Sequence, residues 1–595
     1  MPSPQLANMA QVVEVGWRRS ESSGAIRGMP AGPIRYLDIN ISSMDSLRLF
    51  AAMVFAVSVF LLFDAWTKER SPQPPVAEQA ARRSDAPTPS PTLPPGMAAP
   101  AAPASPAAPV AMPGAVNLPP ILIRTDVLIA EIDPVGGTLR RLELTGHKDK
   151  LDKSKNFVLF QQDAVHTYMA QSGLIGDELP NHTTVYNSTV TNYELREGSD
   201  EVIVNLTASG TKAVGVTKQL TFHRGSYLIN ETFQISNRSG VELKPFAYFQ
   251  LVRDGTPAAG DSKMVPTYTG VAVYTDESKF RKVAFSDIDK GKADYPKHAN
   301  DGWIAIVQHY FLAALLPTGE IAREFYTRAL GSGLYTAGVI VPSANIAPGA
   351  SARIDMRLYA GPQEQDKLAK LSPGLNLTVD YGWLTIIATP LFWVLSAIQK
   401  WTNNWGVSIV LLTVIIKLIF YPLSAASYRS MAKMRVMAPK MQKLKEQYGD
   451  DRQRMHQAMI EMYKTEKINP LGGCLPIVVQ IPVFIALYWV LLASVELRNA
   501  PFIWWIKDLS AQDPYYILPV LMGATMIIQT WLNPTPPDPV QAKVMKIMPV
   551  AFSVFFFFFP AGLVLYWLVN NILSIAQQWQ ITRTIERSKS AHAAR

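Results

Sequence analysis

The segment that most constrains this chain is a run of apolar residues, 405–424, with a lysine in its second half. A helix rises about 1.5 Å per residue, so this run can cross a hydrocarbon core of roughly 30 Å, with Lys417 roughly 12 Å from its cytoplasmic end. A charge at that depth costs on the order of 3 kcal/mol and normally faces protein or a watery cavity. Thr413, Lys417 and Tyr421 recur every four residues, so one helix face is polar. The run is predicted to be one wall of a hydrated groove, with a lysine that snorkels to the interface as the alternative.

Composition indicates a membrane protein with a soluble part. Hydrophobic residues make up 48% of the 595 residues and charged residues only 17%. The net charge of +9 does not indicate a DNA-binding protein, because the basic residues concentrate beside apolar runs, as the cytoplasmic flanks of transmembrane helices do. The single cysteine, Cys474, excludes internal disulfides, so the soluble part must be held together by its own core.

The chain begins with an anchor and a tether. Residues 44–66 contain an apolar run without a small-residue cleavage site, which predicts an uncleaved first transmembrane helix. Residues 1–43 are interpreted as a mis-called or disordered extension: either translation begins at Met44 or the segment is a loose cytoplasmic tail. Residues 67–120 are rich in Pro and Ala, which predicts an extended linker.

Residues 121–380 are predicted to form a large β domain. Runs such as ILIRTDVLIAEID and TLRRLEL alternate apolar and polar residues around a PVGG turn, which is the pattern of a hairpin. Similar runs continue to about residue 362. The domain is therefore predicted to be an all-β sandwich.

Charge predicts the orientation of the membrane segments. Residues 425–470, a predicted helical hairpin rich in Met, are basic and are expected in the cytoplasm together with the amino terminus. The first anchor and transmembrane helix 2, residues 404–424, supply both crossings between these points. Residues 381–402, which Pro390 is expected to break, are thus assigned to an amphipathic helix in the outer interface, with the β domain outside the cytoplasm.

The carboxyl-terminal part is predicted to cross the membrane four more times. Residues 546–577 would form about 48 Å of helix, too long for one crossing, so the segment is split at the turn formers around Pro560. Six crossings in all return the basic tail to the cytoplasm. The predicted segments are transmembrane helix 3 at 472–493, an outer loop at 494–513, transmembrane helix 4 at 514–532, a cytoplasmic loop at 533–542, transmembrane helices 5 and 6 at 543–559 and 562–578, and a basic tail at 579–595.

Polar side chains recur at membrane depth in several of these segments. Such groups need partners or water, so they are expected to face one shared cavity, although a bond to a neighbouring helix is the alternative for each except the lysine. The candidate substrate-binding residues are Lys417, Thr413, Tyr421, Gln480, Gln529, Tyr566 and Trp567. Asn570, Asn571 and Ser574 recur beside the last two.

Enzyme chemistry is not indicated. The sequence has no phosphate-binding glycine loop, no metal-ligand spacing and no nucleophile elbow, so neither a cofactor nor a metal is expected. Acidic residues are nearly absent from the predicted crossings, which argues against an ion-coupled transporter.

Long blocks of the chain resemble the YidC family of membrane protein insertases, in its Gram-negative form with a large periplasmic domain. They include MDSLRLF, NWGVSIVLLTVIIKLIFYPL, SMAKMRVMAPKMQKLKEQYGDD and FPAGLVLYWLVNN, and the match runs from Met44 to about Arg587. The resemblance implies a groove open to the cytoplasm and to lipid but closed outside. Lys417 stands where typical members carry Arg, and because a desolvated lysine can lose its proton, its charge would depend on a wet groove. Thr413 and either Tyr566 or Trp567 would line the groove.

The same resemblance implies the function. The protein is expected to insert and help fold integral membrane proteins, alone or with the Sec translocon, in the bacterial inner membrane. Its expected partners are nascent hydrophobic membrane proteins, the Sec translocon and the lipid bilayer, with the basic loop and tail as candidate ribosome contacts. The β domain would be similar to the supersandwich of sugar-binding mutarotases but not catalytic. The alternatives are a membrane-tethered periplasmic sugar-binding protein and a small-molecule transporter.

Overall fold

The structure, a computed structural model, describes residues 118–150, 152–176, 178–209, 213–257, 267–449, 451–465, 475–533 and 539–593. The extension 1–43, the first predicted transmembrane helix 44–66 and nearly all of the linker 67–120 lie outside the described residues. Within them, the amino-terminal part is mostly β and the carboxyl-terminal part is helical, which confirms the coarse division predicted from the sequence.

The β domain is built from strands β1 to β19. They are β1 Ile121–Arg124, β2 Leu128–Asp133, β3 Thr138–Lys148, β4 Asn156–Gln162, β5 Thr167–Ile175, β6 Tyr186–Asn187, β7 Asn192–Glu194, β8 Glu201–Ala208, β9 Val214–His223, β10 Leu228–Asn237, β11 Phe246–Asp254, β12 Gly270–Thr275, β13 Lys279–Val283, β14 His298–Ala299, β15 Trp303–Gln308, β16 Phe311–Pro317, β17 Arg323–Gly331, β18 Leu334–Pro342 and β19 Ser351–Pro362. In β8 and β9 every second side chain is buried, as one-sided packing of a strand requires.

Two large sheets share one core. The ten-stranded sheet has the order β14-β17-β18-β11-β5-β4-β3-β2-β1-β7, and the nine-stranded sheet has the order β13-β12-β15-β16-β19-β10-β9-β8-β6. Among the described strands every ladder is antiparallel except β1 with β7. Buried apolar side chains from both sheets, among them Phe233 and Phe249, belong to one cluster.

A buried polar cluster also links the sheets. Lys218 on β9 lies 3.2 Å from Glu231 on β10, measured from Nζ to Oε1, and both residues are buried. The Lys218 ammonium donates at 2.8 Å to the carbonyl oxygen of Gly137, in the turn between β2 and β3. Ser172 on β5 donates to the Glu231 carboxylate. Because β5 and β10 belong to different sheets, these contacts connect the two sheets directly.

The helices include two short ones in the β domain and a carboxyl-terminal bundle. They are α1 Phe285–Asp289, α2 Gln365–Leu371, α3 Thr385–Thr402, α4 Trp405–Ile419, α5 Tyr421–Tyr448, α6 Arg452–Thr465, α7 Leu475–Ala493, α8 Ile517–Leu532, α9 Pro539–Phe556 and α10 Ala561–Ala593. Short 3₁₀ turns at Leu375–Thr378, Gly382–Leu384 and Val495–Leu497 connect them.

Two expectations about helix boundaries were wrong. Pro390 does not break α3, because near the amino-terminal end of this helix the proline costs only the hydrogen bond to Ile386 and the next turns continue. The segment expected as one helix, 404–424, ends at Ile419. Pro422 has no N–H with which to extend α4, whereas its fixed φ suits the first turn of α5, so a new helix begins there at an angle of 66°.

The apolar lengths of the helices are modest. Among the described residues one helical segment, Gly382–Thr402, is long and apolar enough to cross a membrane; it consists of the 3₁₀ turn Gly382–Leu384 and α3. The bent pair Trp405–Ile419 and Tyr421–Met434 would be a second if it forms one span. Val479–Ala493 and Ile517–Leu532 are shorter apolar helices.

Glu496, in the loop between α7 and α8, forms a joint with the β domain. Its Oε1 accepts a hydrogen bond of 3.4 Å from the Gln365 backbone N–H, whereas its Oε2 is buried without a hydrogen-bond partner in the described part of the chain. Burial raises the pKa of Glu496 from 4.5 to about 7, and the charges of Glu364 and Asp366 add to the shift. The joint therefore favours the protonated carboxyl.

The Glu496→Gln variant is expected to be more stable than the parent at pH 8. Because the folded protein holds this proton up to about pH 7 while the unfolded chain releases it near 4.5, the contribution of Glu496 to stability is greatest below 4.5 and is lost as the pH rises through 7. The gain at pH 8 is on the order of 3 kcal/mol, at 1.36 kcal/mol per pKa unit. Thermal unfolding of the purified parent and variant from pH 4.5 to 8 measures this gain. A stability difference between the two proteins that does not change with pH would contradict the explanation.

Candidate functional site

The candidate site is centred on Lys417 in the last turn of α4. Asn404 caps the start of this helix, with its Oδ1 accepting a 3.0 Å hydrogen bond from the Val407 N–H. Lys417 is only 6% exposed, and its Nζ donates at 2.7 Å to Ser574 Oγ on α10. The Ser574 hydroxyl in turn donates at 2.7 Å to the backbone oxygen of Asn570. The ammonium is therefore held by a neutral hydroxyl that is itself fixed to its helix.

Further polar contacts extend from α10 to two neighbouring helices. The Gln480 amide on α7 donates to Asn570 Oδ1. On the other side, Asn571 Nδ2 lies 3.4 Å from Thr525 Oγ1 on α8, a long hydrogen bond. Side chains of α4, α7 and α10 thus form one polar network, and a separate polar contact joins α10 to α8.

Aromatic side chains lie next to this network. Phe484 on α7 packs edge-on against Trp567, with ring centroids 4.4 Å apart, and parallel to Tyr566 at 6.2 Å. Tyr566 Oη and Trp567 Nε1 are buried without a hydrogen bond of ordinary geometry in the described part of the chain, although the Gln480 amide is a neighbour of the Tyr566 hydroxyl. Two hydrogen-bond donors therefore remain available on α10, about two helical turns from the serine that holds the lysine.

The structure brings together only some of the residues selected from the sequence. Lys417 and Gln480 are joined through Ser574 and Asn570. Tyr566 is a neighbour of Gln480, and both Tyr566 and Trp567 pack against Phe484. Three of the selected residues lie apart from the network in the described structure. Thr413 is buried and donates to the Ile409 carbonyl oxygen of its own helix at 2.7 Å, Tyr421 is 38% exposed at the start of α5, and Gln529 is half-buried on α8.

Ser574 was not selected as a candidate, although it holds the lysine. It is 157 residues from Lys417 in the chain, so sequence spacing could not pair them. The available signal was the polar face of α10, where Trp567, Asn570, Asn571 and Ser574 follow at successive intervals of three, one and three residues.

The chemistry of the site is that of a hydrogen-bond donor. Lys417 forms no ion pair within the described residues, and one of its three N–H groups is used by Ser574. Those residues also hold no group of His, Cys, Asp and Glu side chains that could bind a metal. The arrangement suits transient binding of carboxylates or backbone carbonyl groups.

Comparison with known proteins gives the family. The model of the YidC periplasmic domain matches residues 120–394, and that of the 60Kd inner membrane protein matches residues 397–589. The membrane protein insertase YidC of Nitrosospira multiformis is 56% identical over 560 residues, covering 92% of this chain and 98% of the relative. The chain belongs to the YidC family. The YidC of Aromatoleum aromaticum is also 56% identical, covering 92% of this chain and 99% of its own.

Membership of the YidC family gives the activity. The chain is a membrane protein insertase of the inner membrane and catalyses no covalent reaction. A solved YidC structure with its first transmembrane domain resolved matches 78% of this chain and 92% of its own, at 18% identity and a TM-score of 0.37. The two family-model matches, 120–394 and 397–589, adjoin inside α3, Thr385–Thr402, where the β domain ends and the helical bundle begins.

Proposed function

We propose that this insertase moves its substrates through a hydrated groove in which Lys417 is the central cation. The observation that carries the proposal is that the buried ammonium has a neutral partner, Ser574, and no carboxylate among the described residues. Its charge is thus available to a substrate. The proposed substrate-binding residues are Lys417, Thr413, Tyr421, Gln480, Gln529, Tyr566 and Trp567.

The proposed mechanism needs no covalent chemistry. A small membrane protein brings its hydrophobic segment along the groove while its short, acidic outer tail rests near Lys417. The cation and the spare donors of Tyr566 and Trp567 shorten the path of the tail through hydrocarbon, where unpaired polar groups are costly. Burial of the hydrophobic segment in lipid, at about 25 cal/mol per Å² of apolar surface, drives its release.

The proposed topology has six crossings, with both termini in the cytoplasm and the β domain in the periplasm, as the charges of the loops favour. Helices α4, α7, α8, α9 and the first half of α10 would be the last five. Exposed apolar side chains on α8 and α9 support contact with lipid. They include Val520, Leu521, Ile528, Val550 and Val554.

Two ion pairs support an interfacial position for α3. Asp380, just before this helix, pairs with Lys282 on β13, and Lys400 near its end pairs with Asp366 on α2 at 3.0 Å. Both partners belong to the β domain, so both ends of α3 lie against the same side of the membrane. Trp383 and Trp401, 79% and 81% exposed, suit the headgroup layer.

We also propose that the insertase assists folding of larger membrane proteins and works beside the Sec translocon and the ribosome. The basic hairpin 425–470 and the basic tail 579–595 are the surfaces that suit a ribosome, because their charge complements RNA. Co-purification with each partner from native membranes tests these contacts.

Insertion into liposomes that contain only the purified protein tests the central proposal. A radiolabelled single-span substrate with an acidic tail is expected to become protected from protease, and Lys417→Ala is expected to lower protection about tenfold, corresponding to about 1.4 kcal/mol of lost attraction. Lys507→Ala, which removes an exposed cation from the outer loop, serves as the matched control. Absence of protection with folded protein would instead indicate a translocon-dependent chaperone.

A further inference from the structure

The outer loop, residues 494–513, is packed into the outer end of the helical bundle. Leu497, Ile506 and Leu509 are buried in the same apolar cluster as the helices. The Leu509 carbonyl oxygen accepts a hydrogen bond of 2.9 Å from Gly562 N–H at the start of α10. Asn404, which caps α4, donates at 2.9 Å to the carbonyl oxygen of Phe502. The loop therefore covers the amino-terminal ends of α4 and α10, and residues 494–513 form an outer plug of the bundle.

Arg498 connects this plug to the β domain. Its guanidinium lies 5.1 Å from the ring centroid of Phe311, 5.2 Å from that of Phe157 and 5.9 Å from that of Tyr310. Its Nη2 donates at 2.6 Å to the backbone oxygen of Lys148. All four of these residues lie in or beside β3, β4 and β16, so one side chain bridges two parts of the chain that are far apart in sequence.

Aromatic rings and a backbone carbonyl oxygen, rather than a direct ion pair, hold this arginine. Arg498 forms no ion pair among the described residues, and its buried Nη1 has no hydrogen-bond acceptor there. The Phe157 and Phe311 rings stack with centroids 3.9 Å apart and present a wide surface to the guanidinium. Burial, with the Arg498 and Lys367 charges, lowers the pKa of the adjacent His147 to about 4, so that ring is neutral at pH 7 and does not repel the arginine.

Two further contacts join the β domain to this end of the helical bundle. His309 Nε2 donates at 3.0 Å to the carbonyl oxygen of Leu492 at the end of α7. Lys153 lies 3.4 Å from Asp508, measured from Nζ to Oδ2, on the outer loop. The exposed lysine contributes little by itself. Arg498 is thus the half-buried centre of a small joint between the β domain and the plug.

We propose that Arg498 is a positioning residue for insertion, which keeps the outer plug closed by anchoring it to the β domain. The residue touches no substrate. It fixes the loop against the ends of α4 and α10, so that the tail of a substrate meets a closed outer end beyond Lys417. The role of the β domain in this arrangement is mechanical. The proposal rests on the proposed topology, in which this loop faces the periplasm.

Thiol labelling from the outer face tests whether the plug opens. In a Cys474→Ser background, Ile506→Cys places a thiol at a site that is 2% exposed. In spheroplasts, Arg498→Ala is expected to speed labelling of this thiol by a membrane-impermeant maleimide about tenfold, and Lys507→Ala to leave the rate unchanged. An unchanged rate in Arg498→Ala would overturn the proposal. Lys507→Cys must label rapidly in every background, and its failure would count against the topology instead.

A reducible cross-link separates positioning from folding. Lys153→Cys and Asp508→Cys, joined by a bis-thiosulfonate reagent, replace the bridge from the β domain to the plug after the protein has folded. Arg498→Ala is expected to lower liposome insertion about tenfold, the cross-link to restore it, and a reductant to remove the rescue. Failure of the folded, cross-linked variant to recover would overturn the proposal. If Arg498→Ala does not accumulate, Phe157→Leu removes one ring and is expected to act in the same direction.

Discussion

Replacing Lys417 with glutamate is expected to reduce insertion of substrates with acidic outer tails by about 100-fold. Loss of the attraction and addition of a like-charge repulsion are each expected to cost about 1.36 kcal/mol, which corresponds to a tenfold decrease in insertion. Insertion of the same substrate with a neutral tail should change little, and a basic tail should be inserted better than by the parent. Protease protection of three matched tails in liposomes measures the effect.

Lys417→Arg and Lys417→Gln are the matched controls for this charge reversal. Arginine keeps the cation and is expected to retain insertion of acidic tails, whereas glutamine keeps hydrogen bonding to Ser574 but removes the charge and should fall between the parent and the glutamate variant. Equal losses for acidic, neutral and basic tails would show that the site acts through shape or folding, and the electrostatic part of the mechanism would then be wrong.

The Lys218→Met variant is expected to lose about 3–5 kcal/mol of stability in the β domain. Methionine fills much of the same space, but it leaves the buried Glu231 carboxylate without its cation and the Gly137 carbonyl oxygen without its donor. Hydrogen exchange of β9 and β10 in the full-length protein measures the loss directly. Thermal unfolding should shift downwards by roughly 6–20 °C for a domain of this size.

A double variant tests whether the loss comes from an unpaired charge. Lys218→Met with Glu231→Leu removes both members of the pair and is expected to regain most of the stability, because a buried ion pair is seldom better than apolar side chains of similar volume. Arg353→Met, which breaks an exposed pair with Asp355, should cost less than about 1 kcal/mol. A double variant as unstable as Lys218→Met would assign the effect to packing instead.

The sequence predicted best what depends on local periodicity. Alternation of apolar and polar residues predicted the mostly β amino-terminal part, and the PVGG turn lies between β2 and β3, where Gly136 and Gly137 have positive φ. Polar residues inside apolar runs pointed to Lys417 and Gln480, which the structure joins through α10. These signals are visible within about ten residues of chain.

Features that depend on contacts between distant segments were missed. Ser574 belongs to a polar face that the sequence shows, but its partner Lys417 lies on another helix. Arg498 has ordinary sequence surroundings, and its partners lie in the β domain. Pro390 was misjudged and the bend at Pro422 was not predicted, because the effect of a proline depends on its position. Pro390 lies near the beginning of a helix that packing continues, whereas Pro422 starts a new helix. Residue type alone does not distinguish these cases.

The bend after Ile419 has an electrostatic consequence for the lysine. Because α4 ends there, Lys417 lies in its last turn, where the aligned peptide dipoles place a partial negative charge that the start of α5 at Tyr421 offsets only in part. This field favours a cation by about 0.3–1 kcal/mol. A straight helix to residue 424 would move that negative end about 7 Å away. A carboxylate partner would neutralise the ammonium. The carboxyl-terminal end of a helix stabilises the ammonium with only a partial charge, so most of the positive charge remains available to the next substrate.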